Sequence, residues 1–89
     1  ENTMFYQTTI AMLPDKQLQV LKALAKEGKT ATPNKGAFIQ KYSLKAASSV
    51  SSALMSLVDK ELVYRSQEGY SVYDRFMEIW LREDLFSTV

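Results

Sequence analysis

The chain has 89 residues, of which 46% are hydrophobic and 24% charged, and a net charge of +1. That is ordinary globular composition, and a chain of this length buries roughly 60–65% of its unfolded surface, enough for one modest core. It contains no cysteine and no histidine, which excludes a disulfide framework, a thiolate metal site and an imidazole acting as base, ligand or pH switch.

No apolar run approaches the roughly 20 residues a membrane helix needs, and no secretory signal is visible. The chain opens Glu1-Asn2-Thr3 without methionine. A piece of a longer, cytoplasmic protein is therefore expected, although a processed start would look the same. Charge is unevenly spread. From Asp15 to Lys45, seven lysines face two acids, a balance of +5; elsewhere four bases face eight acids, a balance of −4. Any phosphate-binding footprint belongs on the first half. Seven lysines equally suit a solvated helix surface.

Residues 1–13 carry Met4, Phe5, Tyr6, Ile10, Met12 and Leu13, and read as a linker or a short N-terminal helix. The domain proper is expected over 14–86, with 87–89 as a tail. Pro14 suits a first helical position and Asp15 the positive end of a helix dipole. Leu18, Leu21, Leu24 and Ala25, widened by Val20, form an inward stripe, and Gly28 allows a left-handed stop. Thr30 and Thr32 can supply a short strand pairing with a later hairpin. Asn34 is placed to cap a helix over 35–42 that buries Phe38, Ile39 and Tyr42. Ser43-Leu44-Lys45 then forms a turn, with Leu44 as its apolar plug.

The next helix spans Ala46 or Ala47 to Lys60. Ala47, Val50, Ala53, Leu54, Leu57 and Val58 face inward. Ser48, Ser49, Ser52, Met55, Ser56 and Asp59 face outward. Serines weaken a helix by a few tenths of a kcal/mol each relative to alanine, a cost consistent with small hydroxyls approaching another surface or with crowded packing. Leu62–Arg65 and Tyr70–Tyr73 alternate as strands around a four-residue connection, Ser66 to Gly69. Asp74 caps a last helix running to about Leu85, with Phe76, Ile79, Trp80 and Leu85 as its buried stripe. The fold class is mainly α with a small β-hairpin wing. It is a winged helix-turn-helix with a three-helix core, a wing and a closing C-terminal helix.

Few residues look like chemistry. Gly28-Lys29-Thr30 resembles the end of a phosphate-binding loop, but Ala23 occupies the required glycine position and no strand precedes it; a helix C-cap is the reading. Asp74 and Glu78 lie one helical turn apart, as in any capped amphipathic helix, and Asp59 and Glu61 read as solvated. Tyr64, Tyr70, Tyr73, Phe76 and Trp80 could stack on single strands, yet read as core. No catalytic residue, metal ligand, cofactor site, membrane contact or small-molecule substrate is expected in this chain.

The helix-turn-helix and wing carry the functional expectation. Ser48, Ser49 and Ser52 would enter the major groove of DNA, Lys41 and Lys45 would flank them on the backbone side, and Arg65 and Gln67, with Lys60, would reach phosphates or the minor groove from the wing. The helix presents no arginine, asparagine or glutamine outward, and Asp59 and Glu68 oppose phosphate. Weak, salt-sensitive backbone contact is therefore expected rather than base reading. The alternative is a protein-interaction or intramolecular regulatory surface on the same serine face. A free-standing transcriptional regulator is a third option.

Pro14 to Gln17 before the leucine helix, then Phe38-Ile39, the run Ala47 to Leu54 and the closing run Val72 to Arg82 form a recognisable set. Together they resemble the C-terminal winged-helix domain of prokaryotic AAA-type ATPases of the archaeal-ATPase group, over about residues 12–83. Tyr73–Phe76 with Trp80–Arg82 is the more specific part. The resemblance implies a preceding nucleotide-binding domain that holds ATP and Mg²⁺, and a winged helix that binds duplex DNA or docks on the ATPase or another protein. One departure stands out: Lys45 and Ala46 occupy positions where a small residue or glycine and a serine cap are expected.

Overall fold

The computed structural model describes residues 3–31, 33 and 35–83. Five helices and one hairpin follow in order: α1 (Thr3–Ala11), α2 (Asp15–Glu27), α3 (Gly36–Lys41), α4 (Ala47–Asp59), β1 (Val63–Ser66), β2 (Gly69–Val72) and α5 (Arg75–Arg82). The positions of Thr32, Asn34, Leu85 and the 87–89 tail lie outside the described residues.

α2 is the central element, packing against α4, α5 and β2. Its Val20, Leu21, Leu24 and Ala25 are sealed from solvent, as are Val50 and Leu57 on α4. Each large aliphatic side chain so buried contributes about 1.5–3 kcal/mol, an upper figure because denatured chains already hide some apolar surface. α2 stops at Gly28, whose φ is 82° and whose N–H bonds to Leu24 O at 2.8 Å. The glycine is thus a helix stop, as its sequence context indicates.

Two helices end alike. After α3, Ser43 takes φ 55°, Leu44 N–H reaches Ile39 O at 2.9 Å and Ser43 N–H reaches Gln40 O at 3.3 Å. After α4, Glu61 takes φ 61°, Leu62 N–H reaches Leu57 O and Glu61 N–H reaches Val58 O, both at 3.0 Å. Both are Schellman closures, in which the residue after the left-handed one turns back as an apolar contact. That explains Leu44, which is 1% exposed and plugs the turn between α3 and α4.

The wing is a two-stranded antiparallel sheet pairing Val63 with Val72 and Ser66 with Gly69. Its connection is therefore two residues, Gln67-Glu68, tighter than the four expected, because Ser66 and Gly69 still pair. Thr30 joins the free side of β2 through two 2.8 Å hydrogen bonds with Tyr70, the small strand expected there.

Several inward assignments shift. On α5 the buried residues are Met77, Glu78, Trp80 and Leu81, whereas Phe76 is 74% exposed and Ile79 lies at the surface. The helix is turned by about one residue from the expected stripe. Glu78 is accommodated because Arg82 and Arg75 pair with it at 3.2 and 3.9 Å, and Arg82 Nε also donates to Ala25 O at 2.9 Å. Ala47, in the first turn of α4, is exposed rather than inward, and Tyr42 is half-buried. α3 begins after Lys35, which provides no side-chain cap.

Candidate nucleic-acid interface

The outer face of α4 holds the hydroxyls the sequence points to. Ser48, Ser49 and Ser52 are exposed, and with Ser56 and Ala53 they form one wall of a shallow groove of about 370 Å³. Pro14, Lys16 and Gln17, from the start of α2, form the other wall. Lys16 Nζ donates to Leu44 O at 2.7 Å, and Lys60 Nζ donates to Gln17 Oε1 at 2.7 Å. Both lysines are held by neutral acceptors, so neither charge is cancelled by its partner. The lining of the groove contains no carboxylate. It is a hydroxyl-walled groove with one lysine in its lining, Lys16, and a second, Lys60, bound to the lining residue Gln17, chemistry suited to phosphate oxygens.

The start of α4 adds to this. Ala46 is the N-cap residue, with φ −104° and ψ 131°, and supplies no side-chain cap. The first N–H groups of the helix therefore keep their donor capacity at the positive end of the dipole. Lys45, just before it, is exposed and holds φ 75°. That left-handed geometry explains why a glycine is expected at this place.

The remaining expected residues divide. Lys41 is drawn to the far end of α2, where it pairs with Glu27 at 2.9 Å while Tyr42 Oη donates to the same oxygen at 2.7 Å. Gln17 and Glu27 are about 15 Å apart along the helix axis. Lys41 is thus not brought beside the serines, a correction to the expected cluster. Its ammonium is held above the usual lysine range by its bond to Glu27, and Glu27 is held below the usual carboxylate range by its bonds from Lys41 and Tyr42.

Arg65 and Gln67 are exposed on the wing. Arg65 lies 5.8 Å from the centre of the Tyr70 ring, a cation–π distance. Glu68, which would oppose phosphate at the wing tip, pairs with Lys29 at 2.5 Å, and that bond lowers its pKa.

A second groove, of about 320 Å³, runs between α4 and the wing. Leu54, Met55, Val58 and Tyr70 make it apolar, and Ser51, Asp59 and Arg65 complete its lining. Tyr64 does not join it. Instead Tyr64 and Tyr73 are exposed on the wing and meet edge-on, with ring centres 5.9 Å apart. With Phe76 they are surface residues, not core; Trp80 is buried and Tyr70 partly so.

Sequence reasoning missed Lys16 and Gln17 as groove residues. Lys16 is visibly outside the leucine stripe, but only the packing of α2 on α4 sets it opposite the serines. Among the described residues no helix is long and apolar enough to cross a membrane. No curated protein and no solved structure matches the chain. One family description does, that of a probable winged helix domain, and it matches residues 4–83. That span and the hairpin that follows the third core helix agree, and the chain belongs to this winged helix family.

Proposed function

We propose that this winged helix is a non-catalytic module that contacts duplex DNA weakly through α4, the turn before it and the wing. The observation that carries the reading is the carboxylate-free groove, where Ser48, Ser49 and Ser52 face Lys16 and the Lys60-bound Gln17. Lys45 before α4 and Arg65 on the wing are further exposed cations that this reading uses. Affinity on this reading comes from phosphates, so it is salt-dependent and largely indifferent to sequence.

The resemblance of Tyr73–Phe76 and Trp80–Arg82 to archaeal-group ATPases supports a cytoplasmic parent protein. Its nucleotide and Mg²⁺ would be held by a preceding domain, with the winged helix reporting DNA contact to it. A second reading has one observation of its own: the apolar groove of Leu54, Met55, Val58 and Tyr70 suits a protein segment, including one from the parent ATPase.

Fluorescence anisotropy with random-sequence duplex DNA decides between them. Binding should be visible at about 50 mM salt and fall steeply by about 200 mM. The double change Lys45→Glu, Lys60→Glu should weaken it at least about tenfold, whereas Lys41→Ala should not. No binding at about 50 mM salt defeats the DNA reading and leaves the apolar groove as the functional surface.

A further inference from the structure

α1 is apolar on both sides. Its inner face sends Tyr6 into the core against Trp80, with ring centres 5.3 Å apart, and Ile10 packs on the core as well. Its outer face should be polar if water were its permanent neighbour. It is not. Met4, Phe5 and Met12 are 79%, 63% and 78% exposed, and Thr8 and Ala11 lie exposed between them. No charged residue occurs from Asn2 to Pro14. At about 100° per residue, Met4, Phe5, Thr8, Ala11 and Met12 fall within about 120° of arc, one continuous face.

The order of these residues also says what can cover them. It is symmetric about Thr8: Met4 and Met12 stand four residues to either side, Phe5 and Ala11 three. A two-fold axis through Thr8 would bring Met4 and Phe5 of one antiparallel helix level with Met12 and Ala11 of another. Met4 would then lie beside Met12, two flexible thioether side chains in contact, while Phe5 lies over the small Ala11. Thr8 at the centre is small enough for close helix approach. A partner surface of another kind would need to match this pattern independently; a second copy matches it by symmetry.

We propose that α1 is a self-association surface, pairing antiparallel with α1 of a second copy of this chain about Thr8. Each of the three large side chains leaves roughly 150 Å² in water, so pairing covers on the order of 1,000 Å² in total, the low end for a specific interface. The association is accordingly weak, with a dissociation constant on the order of 10–100 µM. It is independent of what α4 binds.

Sedimentation velocity of the 89-residue chain from about 5 to 500 µM tests it. The expected result is a monomer–dimer equilibrium that Thr8→Glu shifts to monomer, weakening association at least about tenfold by setting two like charges across the axis. The absence of native cysteine gives a second, geometric readout. Thr8→Cys should form a disulfide-linked dimer under mild oxidation far faster than Ser49→Cys, with circular dichroism confirming that both variants fold. A chain that stays monomeric at about 500 µM, a dimer indifferent to Thr8→Glu, or equal cross-linking of the two cysteine variants overturns the proposal.

Discussion

Tyr6 Oη donates to Asp74 Oδ2 at 3.1 Å, joining the first helix to the start of the last across 68 residues of sequence. The other carboxylate oxygen caps α5, accepting from the Phe76 N–H at 2.9 Å and the Met77 N–H at 3.3 Å. One side chain thus both starts α5 and anchors α1. Asp74→Ala should cost about 1–2 kcal/mol, and Tyr6→Phe about 0.5–1.5 kcal/mol. The two effects should fall short of additive in urea denaturation of the double variant, since both remove one shared contact.

Gly69 closes the wing with φ 131°, and a Cβ there would be driven against the Thr30 carbonyl oxygen and lie 2.7 Å from Ala31 Cα. The close approach exists because Thr30 is bonded to Tyr70 on the same strand. Gly69→Ala should therefore lose about 2 kcal/mol or more, combining an unfavourable backbone angle with a backbone clash. Amide exchange at Tyr70 and Thr30 should quicken before exchange in α2 does.

α4 carries two removable local faults, an N-cap without a side-chain acceptor at Ala46 and a non-glycine left-handed residue at Glu61. Ala46→Ser should add about 1 kcal/mol by capping the helix, and Glu61→Gly about 1 kcal/mol by relieving the left-handed geometry. Each should raise the melting temperature by about 4–8 °C. Ala46→Ser, by occupying the free N–H groups beside Lys45, should also weaken DNA contact slightly, whereas Glu61→Gly should not.

Two exposed pairs set the response to pH. Glu27, bonded by Lys41 and Tyr42, and Glu68, bonded by Lys29, both titrate below their ordinary value of 4.5. Their contribution to stability is present above 4.5 and is lost as pH falls through their lowered folded values. Lys29 and Lys41 titrate above 10.5, so their contribution is present below 10.5 and lost as pH rises through the raised folded values. Denaturation midpoints across pH should decline at both extremes. Glu27→Gln and Glu68→Gln together should flatten the acid decline, and added salt should diminish it in the parent chain because the pairs are exposed.

The parts of this fold that are legible in the sequence are those fixed by local chemistry. The Asp74 cap, the Gly28 stop, the Leu44 plug and the hairpin each depend on residues within a few positions. The errors arise where two patterns have equal periodicity. On α5, the spacing 76, 79, 80 is as helical as 77, 80, 81. The choice was made by Glu78, whose pairing with Arg75 and Arg82 lets a charged residue turn inward. Tyr64 and Tyr73 follow from alternation once Val63 and Val72 are known to face the core, since neighbours on a strand point to opposite sides. The candidate interface was half legible. Ser48, Ser49 and Ser52 lie where their helical spacing puts them, but Lys16 and Gln17 reach them only through the packing of two helices. Lys41 left the cluster because Glu27 offered it an ion pair.

On the proposed function, the hydroxyl face of α4 with its flanking lysines meets DNA. The most direct measurement is two-dimensional NMR of the ¹⁵N-labelled chain titrated with a random-sequence DNA duplex at low salt. Amide shifts should concentrate in Lys16–Gln17, Lys45–Ser56 and Lys60–Gln67 and fade together as salt is raised. Shifts confined to other parts of the chain, or none at all, would contradict it.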